Sequence, residues 1–245
     1  MNINRAELKL RSKGMMNVCK PSPISVGLVY LAVSVLMSLL STRLLGASLT
    51  QNDINQILTH CQNGNFDYAA RYLTDYLPPA SSYIIDALLE VVSWILSAGF
   101  TIFVLNTVRG ANACYGNLLD GFGLWWRVIL LKIVSGIFVA LWSLLLFVPG
   151  LIAEYRYRMA IYILIDHPEM SVMDCIRESK RMMKGHKWEL FILDLSFIGW
   201  TILSSISMIG WFVGIFTTPY FALTYAQYYE IISGHATVIY DNGGI

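Results

Sequence analysis

A chain of 245 residues that is 56% hydrophobic and only 13% charged, with mean hydropathy +0.56, falls far from the roughly 25% charge of a soluble domain. That composition excludes an ordinary soluble globule, and a formal net charge of +1 gives no support to a nucleic-acid binder. The 17 basic residues are unevenly placed, and their distribution carries the topology.

In chain order, residues 1–23 form a basic N-terminus with Arg5, Lys9, Arg11, Lys13 and Lys20. Asn4 and Glu7 are spaced as a capping box for a short helix over residues 1–16 lying on the membrane surface. The first span covers 24–46, uncharged from Ile24 to Thr42. A cleaved signal peptide competes for this stretch, but the apolar run exceeds a usual h-region and no small-x-small site ends it. Residues 47–82 form an external segment. A second span, 83–108, holds Asp86 and Glu90, and "GNLLDGFG" at 116–123 reads as a turn in the loop that follows.

The third span, 128–148, holds Lys132, and "VPG" at 148–150 reads as a tight turn into a short fourth span, 151–166, with Glu154, Arg156 and Arg158 near its start. His167-Pro168 is a stop signal. Spans 190–209, with Asp194, and 211–232, with Glu230, complete the set. Each is about as long as a hydrocarbon core requires, the fourth being shortest.

Basic residues in short loops mark the cytoplasmic side. The N-terminal cluster and a second one, Arg177, Lys180, Arg181, Lys184 and Lys187, lie on the same side if there are six spans, with both termini inside a bacterial cytoplasmic membrane. Reading 128–166 as one bent element gives five spans and separates the two clusters, so six is preferred. Cys19, Cys114 and Cys175 then fall at the cytoplasmic side and Cys61 outside, which argues against an exported disulfide. The four histidines are scattered and no cysteine spacing suits a metal; neither metal nor cofactor is expected.

Residues 171–185 read as an amphipathic interfacial helix. Ser171 with Asp174 forms a capping box and Gly185 ends the helix. Val172, Ile176, Ser179 and Met183 fall on one stripe, and the basic side chains project away from it. Such a helix lies along the membrane surface, where Arg177, Lys180, Arg181, Lys184 and Lys187 are candidate contacts for anionic lipid headgroups.

The stretch "RYRMAIYILIDHPEMSVMDCIRESKRMMKGHKWELFILDLSFIGW", with its "RESKRMMKGHKW" helix followed by "LDLSFIGW", resembles the signature region of the bacterial integral-membrane family of domain of unknown function 975. Residues 151–200 carry the most specific part of this resemblance, which extends over most of the chain. It implies a polytopic bacterial membrane protein and assigns no role to any residue.

Charges inside a membrane are costly unless they meet a partner or water. Asp194 with Thr201 and Ser205, Asp86 and Glu90 with Ser93, Ser97 and Thr101, Lys132 with Gly136 and Ser143, Thr217 with Tyr220, Thr224 and Tyr228, and Tyr30 with Ser34, Ser38 and Ser41 each form a polar stripe on one helix face. The expected fold is therefore all-α, a polytopic bundle with a polar centre of Asp86, Glu90, Lys132, Arg156, Arg158 and Asp194. A faint echo between "WWRVILLKIVSGI" and "HKWELFILDLSFI" aligns Lys132 with Asp194 and predicts that they pair, with Asp86 and Glu90 as competing partners for Lys132.

Two functional classes follow. A hydrated centre makes a small transporter or permease-like component carrying a solute or proton. Hydroxyl stripes serving as interhelical glue, with "GWFVG" at 210–214 as a close-packing contact, instead make a non-transporting accessory, scaffold or immunity-type protein whose basic helix meets anionic lipid or a protein partner. No catalytic motif is present in the sequence, so an enzyme is not expected.

Overall fold

The computed structural model describes residues 5–44, 51–68, 70–71, 80–206 and 210–234, and among these every regular element is helical. The chain divides into two units, one of Met1–Leu31 with Trp94–Ile245 and one of Ala32–Ser93. Three helical stretches, Pro23–Arg43, Ser81–Val108 and Asn117–Leu144, are long and apolar enough to cross a membrane.

In the larger unit, α1 (Arg5–Val18) packs along α12 (Gly210–Ser233). Asn4 lies outside the described residues, so the capping box expected with Glu7 does too. The inner face of α1 is not a loose surface stripe: Leu8 and Ser12 are buried. Ser12 Oγ lies 2.9 Å from Thr224 Oγ1 and accepts from Gln227 Nε2 at 2.9 Å. Lys9 donates to the carbonyl of Ser196 and stands over the Phe197 ring. α2 (Pro23–Leu44) starts on a proline, at a position whose N–H a helix leaves unused, and approaches α12 where a Cβ on Gly27 would lie 3.2 Å from the Pro219 ring.

"GNLLDGFG" is not a loop turn. It forms α5 (Asn117–Asp120) and a 3₁₀ turn (Gly121–Leu124) that lead directly into α6 (Trp125–Leu145). This entry lies against α4 (Ala80–Val108), backbone on backbone: a Cβ on Gly99 would sit 2.1 Å from the Leu118 carbonyl oxygen, and one on Gly121 2.3 Å from that of Ile95. Only glycine at both positions permits the approach, as at small-residue crossings between membrane helices.

α6 breaks at Leu146, which is extended (φ −164°, ψ 149°), and the chain returns along it. "VPG" is not the turn: Val148, Pro149 and Gly150 lie in the first turn of α7 (Phe147–Tyr157), where proline removes no helical hydrogen bond. Gly150 presses on Ser143 of α6. The helix expected over 151–166 is two pieces, α7 and α8 (Ala160–Asp166), joined through Arg158 and Met159. Arg127 at the start of α6 reaches the Met170 carbonyl beyond α8, so 128–166 is a returning hairpin and not one bent element.

α9 (Val172–Met182) starts at the expected cap, with the Asp174 N–H donating to Ser171 Oγ, and Gly185 beyond its end takes φ +94°, a conformation that only glycine adopts without strain. Its stripe of Val172, Ile176, Ser179 and Met183, with Cys175, is buried against α6, α7 and α8. The apolar stripe of the helix expected along the membrane surface thus packs on protein. The helix expected over 190–209 is likewise broken, into α10 (Lys187–Leu195) and α11 (Ile198–Ser204) at Ser196-Phe197; residues 207–209 lie outside the described part.

Phe103, Leu105, Met159, Ile163, Leu164, Met183, Leu190, Leu193, Leu223 and Tyr228 form the buried core of this unit. On α6, by contrast, Ile133, Ile137, Leu141 and Leu144 are exposed at intervals that align them on one face, the kind of apolar surface that water does not cover favourably.

The smaller unit contains α3 (Gln51–Gln62) in the segment expected outside the membrane, together with the adjoining parts of α2 and α4. Asp86 accepts a hydrogen bond from Ser41 there, and His60 and Tyr68 bring their rings within 3.9 Å.

Candidate functional site

The polar groups of the larger unit gather into two clusters. In the first, α10 offers Asp194, α7 offers Tyr155, α12 offers Tyr225, and the break between α7 and α8 frees Arg158. Asp194 Oδ2 accepts from Tyr155 Oη at 2.8 Å and Arg158 Nη1 at 2.5 Å, while Oδ1 accepts from Tyr225 Oη at 2.6 Å. The guanidinium also lies 4.3 Å from the Tyr225 ring centroid, so charge pairing and cation–π attraction act on the same group. Both charged side chains keep partial exposure, 31% and 23%. Three donors and one counter-charge satisfy this carboxylate.

The expected Lys132–Asp194 pair is therefore corrected: Arg158 takes the carboxylate. The repeat-like alignment matched depth along two helices but not azimuth. Of the remaining centre residues, Lys132 is half-buried on α6 and Arg156 half-buried on α7, where its carbonyl accepts from Ser179 of α9 at 2.8 Å. Asp86 and the exposed Glu90 belong to the smaller unit. On α9, Arg177, Lys180, Arg181 and Lys184 are exposed, and Lys187 is half-buried at the start of α10. Arg177 pairs with Asp174 at 2.8 Å and Arg181 with Glu178 at 2.6 Å.

The second cluster joins the ends of three helices. Arg109, one residue past α4, sends Nη1 and Nη2 to the two oxygens of Asp166 at the end of α8, each at 2.8 Å, and Nε to Glu230 Oε1 on α12 at 2.8 Å. Tyr229 Oη donates to Asp166 Oδ2 at 2.7 Å. The two carboxylate side chains are each only 7% exposed. The hydrogen bonds to Asp166 hold the Arg109 guanidinium above its ordinary pKa. A cavity of about 390 Å³ opens here, lined by Arg109, Asp166, His167 and Glu230. Sequence reasoning missed this cluster, although opposite charges at the ends of three expected spans were a signal that could have found it.

The hydroxyl stripes resolve differently. Thr101, Thr201, Thr217 and Thr224 each donate to the carbonyl four residues earlier on their own helix, a bond that satisfies a hydroxyl without a partner helix. Thr217, Tyr220, Thr224 and Tyr228 on α12 are all buried in packed protein. Outside the spans, burial lowers the Lys9 pKa, and neighbouring Arg5 and Lys13 add to the effect. Burial raises that of the Cys175 thiol.

Residues 144–236 match a family described as "Protein of unknown function (DUF975)". This region belongs to that family. The DUF975 region runs from the end of α6 to just past α12 and contains every member of the Asp194 cluster, whereas the second cluster draws Arg109 from outside it. No curated protein and no solved structure matches the chain.

Proposed function

We propose that the protein is a non-transporting accessory of the bacterial cytoplasmic membrane, crossing it six times with both termini inside and presenting the basic face of α9 to anionic headgroups. The observation that carries this reading is the burial of the whole α9 stripe on α6, α7 and α8. Fixed in that way, the helix turns outward Arg177, Lys180, Arg181 and Lys184, each near-surface charge contributing about 1 kcal/mol of attraction to an anionic leaflet. The broken pair α7–α8 spans 20 residues and α10–α11 spans 18, roughly 30 and 27 Å as helices, enough for the two crossings that no single helix supplies.

Support for glue over a hydrated pathway comes from the Ser12–Thr224 hydroxyl contact between α1 and α12 and from the Asp194 carboxylate bonded by α7 and α12 side chains. Single cysteines at Ser93, Ser97 and Thr101 in a cysteine-free background test it directly. Protection of all three from a membrane-impermeant thiol reagent is expected in the folded protein, and labelling at the middle and deep positions would return the protein to the transporters. Replacing Lys180 and Lys184 by Gln should reduce the anionic phospholipid retained on purification while leaving zwitterionic lipid unchanged.

A further inference from the structure

The short helix expected flat on the membrane surface instead stands along α12. Lys9 of α1 lies over the Phe197 ring, which packs on Phe221 at 4.2 Å between centroids. Farther along, Ser12 meets Thr224, and Met15 Sδ accepts from Gln227 at 3.8 Å. The two helices therefore advance together. At about 1.5 Å per residue, Phe221 and Thr224 lie roughly 16 and 12 Å inside Ile232, the end of the span expected over 211–232. Yet α1 carries four cations against one carboxylate, and Arg5, Arg11 and Lys13 are exposed. Glu7 pairs with Arg11 alone among them. Hydrocarbon at that depth does not tolerate such charges, so headgroups or water must come down to meet them.

The start of α2 gives the same level independently. It runs opposite to α12, with Gly27 facing Pro219 and Leu31 facing Gly214. Its uncharged stretch begins at Ile24, three residues before Gly27 and so level with Ala222. Beyond that level Ala226, Tyr228, Tyr229 and Glu230 of α12 are buried in protein, so α12 needs no lipid cover there. We propose that anionic phospholipid headgroups descend from the plane of the cytoplasmic leaflet onto the outer side of α1, where Arg5, Arg11 and Lys13 receive their phosphodiesters and the leaflet is thinned. This rests on the six crossings proposed above. Arg11 and Lys13 flank the exposed Leu10 around the helix. Leu10 and the aliphatic stems then meet acyl chains while the charged ends reach phosphate. A zwitterionic headgroup brings its own cation, so the excess of basic residues selects anionic lipid.

A bimane label at Leu10→Cys, in a cysteine-free background of the full-length protein in mixed vesicles of phosphatidylglycerol and phosphatidylcholine, tests both depth and ligand. A nitroxide on the headgroup should quench it at least twofold more than one at the end of the acyl chain. At Phe216→Cys, an exposed position deeper on α12, the order should reverse. Quenching at Leu10→Cys by headgroup-labelled phosphatidylglycerol should exceed that by headgroup-labelled phosphatidylcholine. Arg5→Gln with Lys13→Gln should at least halve this excess, whereas Lys180→Gln with Lys184→Gln on α9 should leave it unchanged. The depth measurement needs neither pair of charge variants. Stronger quenching from the acyl-chain end, no quenching by either nitroxide, or an excess indifferent to Arg5 and Lys13 would overturn this inference, while the α9 reading keeps its own test.

Discussion

The two charge clusters use the same residue types in different ratios. Around Asp194 one carboxylate receives one guanidinium and two phenols, so charge balances and both oxygens have donors. Around Arg109 one guanidinium is divided between two carboxylates, and all three side chains line a cavity. The Asp194 carboxylate is the more exposed of the two aspartates.

The sharpest way to break this contrast is Asp194→Ala, which strands Arg158. A loss of about 3 kcal/mol in thermal unfolding is expected, the low end for a broken buried pair because both side chains keep some exposure. Adding Arg158→Leu should recover more than half of it, whereas adding Lys132→Ala should recover nothing. Recovery with Lys132→Ala instead would restore the pairing expected from sequence.

Tyr225→Phe should cost about 2 kcal/mol, because it removes the sole donor to Asp194 Oδ1 among the described residues and a bond to a charged acceptor. The matching change in the other cluster, Tyr229→Phe, should cost about 1 kcal/mol, since Arg109 still serves Asp166 Oδ2. Between these lies Arg109→Lys, at about 1.5 kcal/mol: an ammonium keeps the charge but not the planar fork that reaches both carboxylates. Thermal unfolding of the four variants in one detergent would rank them, and Tyr229→Phe exceeding Tyr225→Phe would remove the distinction between the clusters.

Much of the helical organisation was legible in the sequence because apolar length and capping are local properties. The cap at Ser171 and the end at Gly185 appear where local pattern places them, and three helical stretches are long and apolar enough to cross a membrane. The breaks at Arg158-Met159 and Ser196-Phe197 were not legible, because an apolar run reads the same whether its helix is continuous or bent. Leu146, an ordinary apolar residue, takes the extended conformation that "VPG" was expected to supply. Arg158 and Asp194 were both named as members of a polar centre, but their pairing was not. Tyr155 and Tyr225, which complete that cluster, carry no charge to draw attention in a sequence rich in tyrosine.

Sequence by itself determined that the chain is helical and apolar, where its basic residues concentrate, and which face of α9 is apolar, since composition and periodicity fix these without reference to distant residues. Only the tertiary structure decided that this face packs on protein, that Gly99 and Gly121 let two backbones meet, and that Arg109, Asp166 and Glu230 converge from three helices. Those outcomes depend on the azimuth and crossing of helices far apart in the chain, and a one-dimensional pattern records depth along a helix but not which neighbour its face will find.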